Sequence, residues 1–576
     1  MRSKRILMIA PAVIAVVYLA VTMSQAAENK PPTPPKPRGP NFSFDRIISM
    51  HSRNMLEEGR QTFRHDTFGD EAFWGGALRL HEAIAGSAHG GVGPGVSPRT
   101  ALTVGLKVDV DALNSAIVAA LEAGSLNLDD PAVTLELLRQ NAVVGVTGFF
   151  GSDGRLQSMG IQCALCHSTV DNSFEEGIGH RLDGWAARDL DVGAIVALAP
   201  NLQPVADLLG TDQETVRNVL RSWGPGKFDA SLLMDGKAFR PDGRSAATLI
   251  PPAFGLSGVN LHTWTGWGSV THWNAFVSNL EMHGSGTFYD PRLDDATQFP
   301  IAAANRFGHI TSENDLITAK LPALHFYQLA IPAPKPPPDS FDGTSASRGK
   351  SLFSTKAKCA SCHTEGLYTE PGWNMHRGEE IGIDNFQADR APDHRYRTAP
   401  LKGLWTHTKG GFYHDGRFPD LLAVVNHYNS FLGLGLSDPE KSDLIQYLLS
   451  LGDDVPPTAG RRDGARVEAT PPERSSAAWR LRIGPIPGAA GNAVRIELAG
   501  LAAGELPSDL VFRVFDVHGR QVAHFDHGEI APQQGGAAVN WDGTAGRGAS
   551  VAAGVYFIRA AAPSARYSEE RKVVLR

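Results

Sequence analysis

The sequence predicts a mainly α, two-lobed core followed by a small all-β sandwich. Three observations carry that prediction. Two Cys-x-x-Cys-His motifs begin at Cys163 and Cys359, 196 residues apart, which exceeds one simple helical unit. A proline-rich stretch, Pro332–Asp339, separates their surroundings. Beyond about residue 478 the texture changes to short apolar–polar alternations broken by Gly, Asp and Pro. A chain of 576 residues is too long for one ordinary domain. Its net charge of −7, with no Lys/Arg-dense run, offers nothing to a nucleic acid.

Taken in order, residues 1–27 read as an export signal. Arg2, Lys4 and Arg5 precede an apolar run from Ile6 to Met23, and Ser24-Gln25-Ala26-Ala27 supplies small residues for cleavage. The apolar run approaches spanning length and would act as an anchor if left in place. The bulk of the chain is therefore expected outside the cytoplasm, in the periplasm, secreted or at the cell surface. Residues 28–43 form a stiff proline-rich linker, with six prolines between Lys30 and Pro40. Residues 44–331 hold the first motif late, behind a large elaboration in which Leu113–Leu121 and Pro131–Leu138 have helical spacing. Residues 332–340 are a linker. Residues 341–455 form a compact helical unit whose last helix opens on a capping box, Ser437 with Glu440, and Pro439 in the first turn. Leu444, Ile445, Leu448 and Leu449 are its apolar stripe. Residues 456–477 are a polar linker. Residues 478–576 carry the strand pattern, in Val494–Leu498, Val511–Phe515 and Gly554–Arg559.

An exported chain with four cysteines first suggests disulfides. Here all four lie in Cys163-Ala-Leu-Cys166-His167 and Cys359-Ala-Ser-Cys362-His363, and none remains for a disulfide. In this spacing two thiols reach the vinyl groups of one porphyrin while the adjacent imidazole reaches its iron. A zinc site would want a second ligand pair close by, and a redox dithiol has no need of the histidine. Two covalently bound haem c groups are expected, with iron ligands His167 and His363, in a dihaem cytochrome c core. For the second haem, the last methionine, Met375, comes only 12 residues after His363, too early for an ordinary distal ligand. On a helix over Asp420–Tyr428, Tyr428 shares an inward face with Leu421, Val424 and Val425, whereas His427 points about 100° away. His414 lies upstream as a further donor. For the first haem, Met234, His180, His262, His272 and His283 are the available distal groups, each also readable as structural.

The stretch TAPLKGLWTHTKGGFYHDGRFPDLLAVVNHYN, followed by LSDPEKSDLIQYLLSLG, resembles the C-terminal lobe of bacterial dihaem cytochrome c peroxidases and MauG-like enzymes. The shared hallmark is Tyr-His-Asp-Gly before a short helix. The resemblance implies an axial ligand to the second haem 14 residues after His414, a position held here by Tyr428, as in the MauG-like branch. It makes Trp264, in Thr263-Trp-Thr-Gly266, the electron relay between haems. It makes Glu281, in Asn279-Leu-Glu-Met282, the acid that moves protons at the reactive haem. Calcium belongs to the same family pattern, but the Asn that binds it there falls on Leu249. The family's distal Gln has no match, and the spacing between motifs is nearer that of rubber-cleaving dihaem oxygenases. The resemblance covers roughly residues 160–455. The last 90 residues or so (FDVHGRQVAHF, VNWDGTAGRG, GVYFIRA) resemble the Ig-like domain of flagellar hook-capping proteins and the C-terminal sorting domains of some secreted proteins.

The expected function is that of a haem oxidoreductase reacting with peroxide or oxygen at the first haem. A small redox protein would be its electron partner. A pure electron carrier, with both irons six-coordinate, and an oxygenase of an organic polymer are the competing readings.

Overall fold

The computed structural model describes residues 44–337, 339–453, 479–485, 493–500, 506–516, 521–533, 536–544, 550–562 and 567–575. The expected signal, the proline-rich linker at 28–43 and the linker at 456–477 lie outside the described residues. The chain divides into two compact units, Met1–Pro457 and Thr458–Arg576. Among the described residues no helix is long and apolar enough to cross a membrane.

In the first unit, short helices alternate with two-stranded sheets. Its longest helix, Phe44–His65, lies along Leu321–Ala330. The approach is so close that a Cβ on Gly59 would fall 2.0 Å from the Ala323 carbonyl oxygen, so only glycine fits. The helical spacing read around residues 113 and 131 becomes Ser115–Glu122 and Pro131–Arg139. Asn114 and Asp130 cap them by accepting from backbone N–H groups of the first turn. A hairpin pairs Val146–Phe150 with Leu156–Ile161 and leads directly into the first motif. The segment expected as a free linker is extended and pinned. Ala333 and Asp453 exchange hydrogen bonds at 2.8 and 3.0 Å, and the Trp405 indole donates to Pro334 O at 2.9 Å.

The second motif sits against Gly343–Ser354, Leu421–Phe431 and Asp438–Leu449. The capping box at Ser437 and Glu440 forms as read. The buried face of that last helix is Leu444, Tyr447 and Leu448, with Ile445 and Leu449 only half-buried. It is turned this way because Gly349 packs directly on the Asp443 carbonyl, while the Asp443 side chain takes two bonds from Arg348. The halves bearing the two motifs share their interior. Ala391 packs in one cluster with Met234, Trp267 and Phe276, and the side chain of Arg390, fully buried, is held by Asp229 and Asp235 at 3.0 and 2.7 Å.

The second unit is two four-stranded antiparallel sheets around one core. One sheet runs in the order Arg480–Pro485, Val494–Ala499, Gly536–Trp541, Ala531–Gln533. The other runs Gln521–Phe525, Val511–Asp516, Gly554–Ala562, Tyr567–Leu575. Strict alternation buries Val494, Ile496 and Leu498 from the first sheet and Phe512 and Val514 from the second.

Candidate functional site

The hairpin delivers the chain to Cys163, and one helical turn, Ala164–His167, follows. Backbone bonds hold the turn: Gly184 N–H donates to His167 O at 2.8 Å and Ala187 N–H to Cys166 O at 2.9 Å. Beneath it, Gly145 at φ +82° lies so near that a Cβ would meet Leu165 Cα at 2.1 Å. His167 Nδ1 is 3.1 Å from Pro251 O. A carbonyl can only accept, so Nδ1 carries the hydrogen and Nε2 keeps its lone pair. The second motif repeats this. His363 N–H donates to Cys359 O at 2.9 Å, and His363 Nδ1 lies 3.2 Å from Tyr368 O. Burial pushes both imidazoles down to about 4, so both are neutral donors at ordinary pH.

No two of the four cysteines are joined to each other. Burial pushes Cys163 and Cys166 up to about 12 and Cys359 to about 11. Cys362, Glu370 and His376 do offer three donor atoms within 4.8 Å of one another. His376, however, contacts carboxylates at both ring nitrogens, Glu370 at 2.6 Å and Glu380 at 3.2 Å. With Cys362 and Glu370 beside it, its pKa is pushed up to about 10.

Both motifs open on one cavity of about 680 Å³. Glu281, Trp264, His414 and Tyr428 all line it. Glu281 is 9% exposed, at the end of a π-helical turn, Val277–Glu281, closed by Met282 N–H on Val277 O at 2.8 Å. Burial, with Asp229 adding to it, holds its carboxyl well above the usual carboxylate range, so it is a neutral acid. The indole of Trp74, from the elaboration, donates to Met282 O at 2.9 Å and fixes the end of this turn. The Trp264 indole donates to Leu249 O at 2.7 Å, and Leu249 N–H donates to His414 O at 2.6 Å. The Trp264 carbonyl accepts from Arg397 N–H at 2.9 Å. This tryptophan is thus tied to both halves. Leu249 itself is fully buried, and its aliphatic side chain offers calcium no oxygen donor.

Tyr428 lies on Leu421–Phe431, its ring 6.3 Å from that of Tyr413, and burial raises its pKa. His427 Nε2 instead bonds Ile381 O at 2.8 Å, outside the cavity lining. His414 is 3% exposed, stacks on Tyr396, and has no partner at Nε2. Of the distal groups considered for the first haem, Met234 and His262 line the cavity. His180 turns to Asp111, His272 to Asp290, and His283 stacks on Phe73.

Three lining residues escaped the sequence reading. His407 has no partner at either ring nitrogen, and burial, with Arg188 nearby, pushes it down to about 3. Arg188 and Arg397 have no acidic partner among the described residues, and burial lowers each to about 10, leaving both cationic. An unpaired cation facing an enclosed space is costly unless an anion meets it. A haem, with its propionates, fits that demand, as do the two neutral histidines with free Nε2 atoms. Only the position of His407, seven residues before His414 in the same motif-rich stretch, could have singled it out.

No family model matches the chain. It is similar to the methylamine utilization protein MauG of Methylorubrum extorquens, 26% identical over 224 residues, covering 32% of this chain and 61% of that protein. The chain thus spans about three fifths of that relative's length. This is a distant relationship, and it supports the superfamily that the motif surroundings resemble, with no finer placement. Among solved structures, PorZ, a surface component of the type-IX secretion system of Porphyromonas gingivalis, matches at 20% identity and TM-score 0.12, over 16% of this chain and 11% of that one. Latent PorU of the same organism matches at 17% identity and TM-score 0.12, over 16% and 9%. Likenesses this slight carry no argument.

Proposed function

We propose that this chain is an exported dihaem c-type cytochrome of the cytochrome c peroxidase/MauG type. In this reading it reduces peroxide or activates oxygen at the first haem, and the second haem relays electrons from a small redox protein. The observation that carries it is the repeated motif geometry: His167 and His363, each tied through Nδ1 to a backbone carbonyl, face one cavity with a neutral, buried Glu281. Haem bound at each motif would supply an iron that exchanges electrons with the substrate and with its neighbour. Cys163 and Cys166, and Cys359 and Cys362, would hold the two groups by thioethers, and Arg188 and Arg397 would meet their carboxylates. Glu281 holds a proton at its carboxyl, available to an oxygen atom as that atom is reduced. Trp264, fixed by Leu249, would serve as the relay, and Tyr428 would offer its phenol oxygen to the group held at the second motif. The sandwich would be an accessory Ig-like module at the periplasmic or cell-surface location.

The test is electron paramagnetic resonance and haem stoichiometry of the holoprotein. Two haems per chain, one high-spin and one low-spin ferric signal, and rapid reaction with peroxide are expected. A chain without a Soret band overturns the reading. The carrier reading draws on Met234 and His262, both at the cavity. Two low-spin signals and no reaction with peroxide would establish it instead.

A further inference from the structure

A second cavity, of about 320 Å³, lies within the elaboration that precedes the first motif. Its walls are aliphatic: Leu102 and Val104 from one segment, Leu137 and Val143 from another, Val196 and Ala197 from a third. That is roughly twice the volume of an apolar cavity that stays dry and takes up benzene. Its few polar side chains are mostly spoken for. Lys107 Nζ is bonded to Asp189 at 2.7 Å and to Gly105 O at 2.8 Å. Only the Thr134 hydroxyl is buried without a partner. Leu198, 47% exposed, and the exposed Arg221 also line the cavity, so it reaches the surface beside helix Val192–Val196. At its inner wall Trp74, Ile161, Leu165 and Val192 line both this cavity and the one shared by the two motifs. Leu165 lies between the two cysteines of the first motif, and Trp74 bonds the carbonyl beside Glu281.

We propose that this chamber binds a small, uncharged, apolar organic molecule and seats it against the wall of the first motif. A void of this size lined by aliphatic groups loses dispersion contacts on every side, and a hydrocarbon restores them. Water would find one hydroxyl and too few further partners to be held. Hydrogen peroxide, being strongly hydrated, gains nothing there. The ligand class is that of an alkylbenzene or a short branched alkene, with at most one hydrogen-bonding group, for which Thr134 is the partner. The binding stands on this cavity alone; its bearing on chemistry rests on the haem reading above.

The experiment uses hexafluorobenzene as probe with the full-length holoprotein, read by fluorine NMR and in parallel by the Soret band. Saturable one-site binding is expected, weakened at least about tenfold in Ala197→Phe and in Leu102→Trp, which fill the chamber from opposite segments. Folding of each variant is checked by circular dichroism, and Leu102, only half-buried, is the more forgiving site. No saturable binding, or equal binding in a folded filled variant, overturns the proposal. A Soret shift that saturates with the fluorine signal supports seating at the first motif, and binding that leaves the Soret band unmoved refutes it. A chain that binds the probe but has no Soret band refutes the haem reading and leaves the chamber standing.

Discussion

Arg390→Met separates the two halves of the core at a single point. The guanidinium has no exposed side-chain area, and Asp229 and Asp235, at 1% and 0%, have it as their shared counter-charge. Methionine keeps an aliphatic stem but removes the guanidinium, which lies 5.6 Å over the Phe386 ring, and leaves two carboxylates in an apolar interior. Breaking a buried pair by removing one partner costs about 3–5 kcal/mol, and two stranded carboxylates put this variant at the upper end. That is a large part of a stability of about 5–15 kcal/mol. The sign of the pH dependence follows. Burial already pushes the Asp229 carboxyl up to about 6, and without the cation it binds its proton more tightly still in the folded state than in the unfolded one. The contribution of Asp229 to the variant's stability is therefore greatest at low pH and is lost as pH rises through its raised pKa. The defect should be larger at about pH 8 than at about pH 5. Urea unfolding followed by the helical circular dichroism signal measures both. A loss under about 1 kcal/mol near neutral pH, or one that grows on acidification, would refute the reasoning.

Glu281→Gln should slow the reaction with peroxide by about 100-fold to 10,000-fold while leaving both haem spectra in place, because only the transferable proton is removed; stopped-flow kinetics would read it. Cys163→Ala and Cys359→Ala should each leave one thioether at the altered motif, seen as a single-cysteine haem spectrum in the pyridine haemochrome assay, with the other motif unaffected. Tyr428→Phe removes the phenol oxygen and should change only the low-spin signal in electron paramagnetic resonance; an unchanged spectrum would mean the tyrosine is a core residue.

Much of this was legible because it is local. The motif spacing, the capping box at Ser437 and Glu440, and the helical phase that sends Tyr428 inward and His427 aside all follow from periodicity. The strands Val494–Ala499 and Val511–Asp516 followed from alternation in the same way. What escaped is tertiary. Nothing local in the sequence marks Arg188 and Arg397, which only the fold leaves without a carboxylate. Tyr447 takes the place expected for Leu449 because Gly349 sets the depth of the last helix. The hairpin Val146–Phe150 with Leu156–Ile161 has too short an alternation to stand out, and the aliphatic chamber draws single residues from several distant segments.

The peptide unit at Leu249 has a consequence for how the two motif-bearing halves keep their separation. Its oxygen receives the indole of one half and its nitrogen reaches the other half, so the spacing there depends on main-chain atoms that rotamer changes do not move. Aliphatic exchanges at this position would leave that clasp intact. An imino acid would open it, loosening the tryptophan from the His414 loop without altering either Cys-x-x-Cys-His motif.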